Sequence, residues 1–85
     1  MSFMATPEFH ERYQRVSDKS ACCIDSAVLR ILREPEGAWA RQSRVRGELG
    51  WAWLVVVECG TDEWSIYWDW PGRKGPIRLL LLLPG

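Results

Sequence analysis

Trp51-Ala52-Trp53-Leu54-Val55-Val56-Val57-Glu58-Cys59 decides the fold. The stretch is rich in β-branched and aromatic side chains and is bounded by Gly50 and Gly60, the marks of a strand. Apolar residues fill both of its faces, with Trp51, Trp53, Val55 and Val57 on one and Ala52, Leu54 and Val56 on the other. That pattern predicts a central strand over 51–59.

Working outward from it, Gly60-Thr61-Asp62-Glu63 turns the chain. Residues 63–70 then alternate, with Trp64, Ile66, Trp68 and Trp70 on one face and Ser65, Tyr67 and Asp69 on the other. A loop bounded by Pro71 and Pro76 leads to a leucine-rich last strand over 77–83. Upstream, the turn Gly47-Glu48-Leu49-Gly50 is preceded by a weaker strand over 39–46. Short loops force neighbouring strands to run antiparallel, which predicts a β-meander of three to four strands.

Before Pro35 and Gly37 the period changes. Ala21, Ile24, Val28, Ile31 and Leu32 form one stripe of a helix over 20–33, with Ser17 or Ser20 as its cap and Asp25 at the stripe's edge. Pro35 ends it, because the residue before a proline disfavours the α region. Thr6-Pro7-Glu8 is a helix start, and Phe9, Tyr13 and Val16 lie on one face of a shorter helix over 6–16. Residues 1–5 read as a loose leader. The expected whole is one α+β domain, 1–85, with two short N-terminal helices packed on an antiparallel meander.

Composition is that of a folded domain: 47% hydrophobic, 26% charged and no net charge. A dedicated DNA-binding domain advertises a basic excess, which is missing overall. The charges are nevertheless segregated. Residues 50–72 hold Glu58, Asp62, Glu63 and Asp69 without a cation; residues 73–85 hold Arg73, Lys74 and Arg78 without an acid; Arg41, Arg44 and Arg46 face only Glu48. The plainer account is cross-strand pairing; the sharper one is oppositely charged faces offered to a partner. Cys22, Cys23 and Cys59, odd in number and two of them adjacent, read as free thiols. No apolar run approaches the ~20 residues of a spanning helix, and no signal-peptide pattern opens the chain. The expectation is a cytoplasmic protein without a membrane partner.

No catalytic or metal set emerges. His10 stands alone as a general base. The cysteines have the wrong spacing for zinc, since ligand pairs lie two to four residues apart. The acids around 60–63 sit at a hairpin tip, where solvation is the plain reading. The 71–76 loop lacks both the phosphate-loop pattern and a following helix. We therefore expect no enzyme activity and no cofactor.

The anomaly is six tryptophans, Trp39, Trp51, Trp53, Trp64, Trp68 and Trp70. If the tryptophan faces of the two hairpin strands coincide, five indoles crowd one side of the sheet, more than two short helices easily cover. Core packing is the plain reading. The functional one takes Trp39, Trp51, Trp64, Trp68 and Trp70 as anchors on a larger protein or complex, steered by Arg73 and Lys74. The expected function is a small protein-binding inhibitor or antagonist. Accessory proteins of phages and mobile elements, anti-CRISPR proteins among them, offer the class analogy. The alternatives are a single-stranded nucleic-acid binder stacking bases on the aromatic face with Arg41, Arg44, Arg46, Arg73 and Lys74, and a self-associating structural subunit, a homodimer through its aromatic face or leucine strand.

Overall fold

The computed structural model describes residues 3–47 and 50–85. Its elements are β1 (Phe3–Ala5), α1 (Pro7–Tyr13), α2 (Asp18–Arg33), β2 (Ser43–Gly47), β3 (Gly50–Cys59), β4 (Asp62–Asp69) and β5 (Ile77–Pro84), with a 3-10 turn at Pro71–Arg73. The fold is α+β, with the strands in one mixed sheet ordered β1-β5-β4-β3-β2.

The helices start where their caps dictate. Thr6 Oγ1 accepts from the Phe9 N–H with Pro7 at the first helical position, and Ser17, not Ser20, accepts from the Ser20 N–H to open α2. The α2 stripe then lays Ile24, Val28, Ile31 and Leu32 on the sheet. Beneath it a row of side chains crosses three strands: Val55 pairs with Ile66 and Ile66 with Leu82, all fully buried. The next row, Trp53, Trp68 and Leu79, continues the same face. The tryptophan faces of β3 and β4 therefore do coincide.

Two expectations change. The N-terminal leader contains a strand, since Phe3–Ala5 pairs in parallel with Ile77–Leu79, making the sheet mixed and five-stranded. The strand expected over 39–46 begins only at Ser43. Ala40 is drawn into the core instead, and the Gln42 side chain accepts the Val56 N–H at 3.1 Å, where a longer strand would have offered backbone. As expected, β3 is an interior strand, lying between β4 and the edge strand β2. Within the 47–50 turn, Glu48 and Leu49 lie outside the described residues.

The cysteines also differ from expectation. Cys23 of α2 is bridged to Cys59 at the end of β3, across a Cα–Cα distance of 5.8 Å. Cys22 is free and exposed. Neighbouring helical side chains point about 100° apart, so only one of the adjacent cysteines can face β3. The bridge removes the free-thiol argument on which the cytoplasmic expectation rested. No helix among the described residues is long and apolar enough to cross a membrane.

Candidate functional site

The β2–β3 hairpin sets arginine against tryptophan. Its register places Arg44 opposite Trp53 and Arg46 opposite Trp51. On a pleated ribbon, directly opposed residues share a face with Cβ atoms about 5 Å apart. The guanidiniums therefore stack on the indoles. Arg44 lies 5.1 Å from the Trp53 ring centroid and 5.2 Å from that of Trp51; Arg46 lies 5.8 Å from Trp51. Arg41 adds a further contact on Trp53, at 4.9 Å. It is positioned by its own Nε–H, which donates to the Pro35 carbonyl at 2.8 Å. The result is a ladder, Arg46–Trp51–Arg44–Trp53–Arg41, in which each indole carries two cations within cation–π range. Arg30 stacks separately on Trp39 at 4.3 Å.

Among the described residues no carboxylate pairs with these cations. The ion pairs among the described residues are Arg15–Glu11, Arg73–Glu36 and Arg78–Asp69. None of them involves Arg30, Arg41, Arg44 or Arg46. Beside the ladder lies a depression of about 300 Å3 whose wall includes Arg44, Trp51, Trp53, Trp70 and Pro71. Trp70 is held in that wall by its indole N–H, which donates to the Gly75 carbonyl at 3.1 Å.

Of the expected anchors, the structure brings Trp51 and Trp70 together at this site. Trp51 is 53% exposed, the most available of the tryptophans. Trp39 is half-buried against the core and covered by Arg30. Trp64 is half-buried and sits at the opposite end of the sheet, paired with Val57 and Pro84. Trp68 cannot anchor a partner: it has no exposed surface, because the segment before β2 closes over it. Arg73 reaches back to Glu36 at 3.5 Å, and Lys74 is exposed in the adjoining loop. Trp53 was missing from the expected anchors. Pairing the two strands across Gly47 and Gly50 would have found it, because that register alone sets Arg44 on Trp53.

Other chemistry is sparse. Among the described residues no group of His, Cys, Asp and Glu is arranged to hold a metal ion. His10 lines an apolar cleft of about 390 Å3 between α1 and α2, with Phe3, Phe9 and Leu29. At that cleft the Tyr13 hydroxyl donates to Asp25 at 2.6 Å. This bond, then burial, then the nearby Asp25 and Cys22 charges, raise the phenol pKa above its usual 10.0.

The site is thus known only from its own residues: no protein family, curated protein or solved structure matches the chain.

Proposed function

We propose that the protein is a small non-enzymatic binding module that docks the arginine–tryptophan ladder onto an acidic patch of a larger protein and blocks that surface sterically. The observation that carries this reading is the ladder itself: cations stacked on indoles, with no carboxylate paired to them among the described residues, around an exposed Trp51. Tryptophan and arginine are enriched among the residues that dominate binding energy. A guanidinium stacked on an aromatic ring keeps its planar N–H fork free for a carboxylate. The antagonist role, of the kind found among phage and mobile-element accessory proteins, rests on small size and class analogy alone.

Single-stranded nucleic acid is the weaker alternative. A base stacking on Trp51 or Trp53 would have to displace a guanidinium already there. The overall charge is also zero.

The test is affinity capture from host lysate with wild-type, Arg44→Glu and Trp51→Ala baits, each with and without nuclease. A complex that survives nuclease and is lost with both variants supports the reading. Recovery that collapses with nuclease transfers the site to nucleic acid. A complex that both variants retain would remove the ladder from the interface.

A further inference from the structure

The sheet ends at β1 on one side and at β2 on the other, and Ser43–Gly47 is the longer edge. Its register fixes which backbone groups are already used. With only Glu48 and Leu49 between them in sequence, Gly47 and Gly50 pair and exchange both of their hydrogen bonds. Bonded and unbonded pairs alternate along an antiparallel ribbon, so Val45–Ala52 and Ser43–Leu54 are the next bonded pairs. The Val56 N–H keeps the same phase: it points toward the β2 side, where the Gln42 side chain accepts it at 3.1 Å. The N–H and C=O groups of Arg44 and Arg46 therefore point away from β3, out of the edge of the sheet. Both residues are exposed, and among the described residues no other segment offers them backbone.

An open edge is a template for another strand, and the side chains of β2 select among strands. Arg44 and Arg46 stand on the ladder face, with Val45 between them on the other. Residues 41–48 hold Arg41, Arg44 and Arg46 against Glu48 alone, three cations to one acid. That charge disfavours a second copy. Two antiparallel β2 strands centred on Val45 would set each Arg44 against the other copy's Arg46, and like charges directly opposed destabilise a sheet. A strand with acids opposite the two arginines meets no such penalty. Arg44 is stacked on Trp51 and Trp53, and Arg46 on Trp51, so the planar N–H fork of each stays available to a carboxylate.

We propose that the β2 edge takes an extended acidic segment of the partner protein as an added strand, antiparallel to β2. The proposal rests on the ladder reading above and names the form in which the partner is held. The added backbone satisfies the outward N–H and C=O groups of Arg44 and Arg46. The two residues opposite these arginines share the ladder face and are Asp or Glu. The residue between them lies opposite Val45, which is half-buried on the aliphatic side of the sheet, and is apolar. The recognised pattern is therefore acid–apolar–acid. In strand addition the main-chain bonds supply affinity, and alternate side chains supply specificity.

The test is an amide NMR titration of the full chain with two end-capped synthetic peptides of one composition, Thr-Thr-Glu-Val-Glu-Thr-Thr and Thr-Thr-Glu-Glu-Val-Thr-Thr. The alternating peptide is expected to bind with a Kd of about 1 mM or tighter, and the other about tenfold more weakly. At saturation the alternating peptide is expected to slow hydrogen exchange at the Arg44 and Arg46 amides. Arg46→Pro removes an outward N–H and leaves the bonds to β3 alone, with folding checked by circular dichroism. Arg46→Gln removes the same charge and keeps the N–H. The glutamine variant is expected to weaken the alternating peptide about fivefold, and the proline variant to lose it. Strand addition is overturned if the alternating peptide does not bind, if both peptides bind equally, or if the two amides exchange as before. The wild-type amides decide this even where the proline variant does not fold. Slowed exchange that grows with protein concentration alone gives the edge to a second copy and also overturns the proposal. Failure of the ladder reading looks different: the lysate complex then survives Arg44→Glu and Trp51→Ala. Failure of strand addition alone leaves that complex lost with both, yet kept by Arg46→Pro as well as by Arg46→Gln.

Discussion

The Trp68 indole N–H donates to the Ala40 carbonyl oxygen at 2.9 Å, fully inside the protein and across 28 positions of sequence. The bond fastens the 34–42 connection over the middle strand and turns the would-be start of β2 into a lid on the core. Trp64, two positions before Ile66 on the same strand face, presents the opposite case. Its indole N–H is shut away from solvent with no partner among the described residues.

The two tryptophans should therefore respond differently to the same change. Trp68→Phe leaves the Ala40 carbonyl buried and unmet, which costs about 1–3 kcal/mol beyond lost packing. Trp68→Ala costs about 3–5 kcal/mol. Trp64→Phe loses some area but also removes an unmet donor, so its change stays within about 1 kcal/mol. Urea unfolding of the three variants checks the order, and a Trp64→Phe loss equal to that of Trp68→Phe would refute it.

What the sequence disclosed follows from how local each signal is. The caps at Thr6 and Ser17, the α2 stripe and the alternation of β4 are set by neighbours in the chain, and the helices and the strands from Gly50 onward stand close to where periodicity put them. β1 was illegible because three residues carry too little pattern, and its partner Ile77–Leu79 lies more than seventy positions away. The parallel pairing depends on the whole sheet being in place. Trp39 and Ala40 read as strand because a tryptophan beside small and charged residues fits a pleat, but the core claims them first. The ladder was half legible: its residue types stood out, while its geometry needed the hairpin register. The apolar residues on both faces of 51–59 marked an interior strand, which β3 is, but could not say which face the helices would cover.

The Cys23–Cys59 bridge joins residues 36 positions apart in sequence, tying α2 to β3. Constraining a loop of that size in the unfolded chain contributes roughly 2–4 kcal/mol. Reduction, or Cys23→Ser, should lower the urea midpoint accordingly, whereas Cys22→Ser should leave it unchanged. In the native oxidised protein a thiol reagent should label Cys22 alone. Three reactive thiols without reductant would show that the bridge does not form.

The phenol of Tyr13 gives the pH dependence. Its bond to Asp25 holds the proton on, so the folded pKa stands above the usual 10.0. A group raised on folding contributes stability that is fully present below its unfolded pKa and is lost as pH rises through the folded value. The loss should thus appear only in alkali above about pH 10. In a Tyr67→Phe background, the ultraviolet phenolate band should report Tyr13 alone, and Asp25→Ala should lower its midpoint. An unmoved midpoint would remove Asp25 as the cause.

Trp51 offers the sharpest separation of binding from folding. It is the most exposed tryptophan, near the edge of the sheet, and its contacts are guanidiniums rather than core side chains. Exposed cation–π contacts are worth about 0.5–1 kcal/mol each, and freeing Arg44 and Arg46 to water offsets part of that. Trp51→Ala should therefore change stability by less than about 1 kcal/mol. Trp53→Ala should cost more, because Trp53 also packs against the core beside Trp68. If the ladder is the docking surface, both variants lose the partner, but only Trp51→Ala does so with its unfolding curve nearly unmoved. A Trp51→Ala protein as unstable as Trp53→Ala would mean that the outer indole holds the hairpin together, and its loss of partner could then no longer be assigned to the interface.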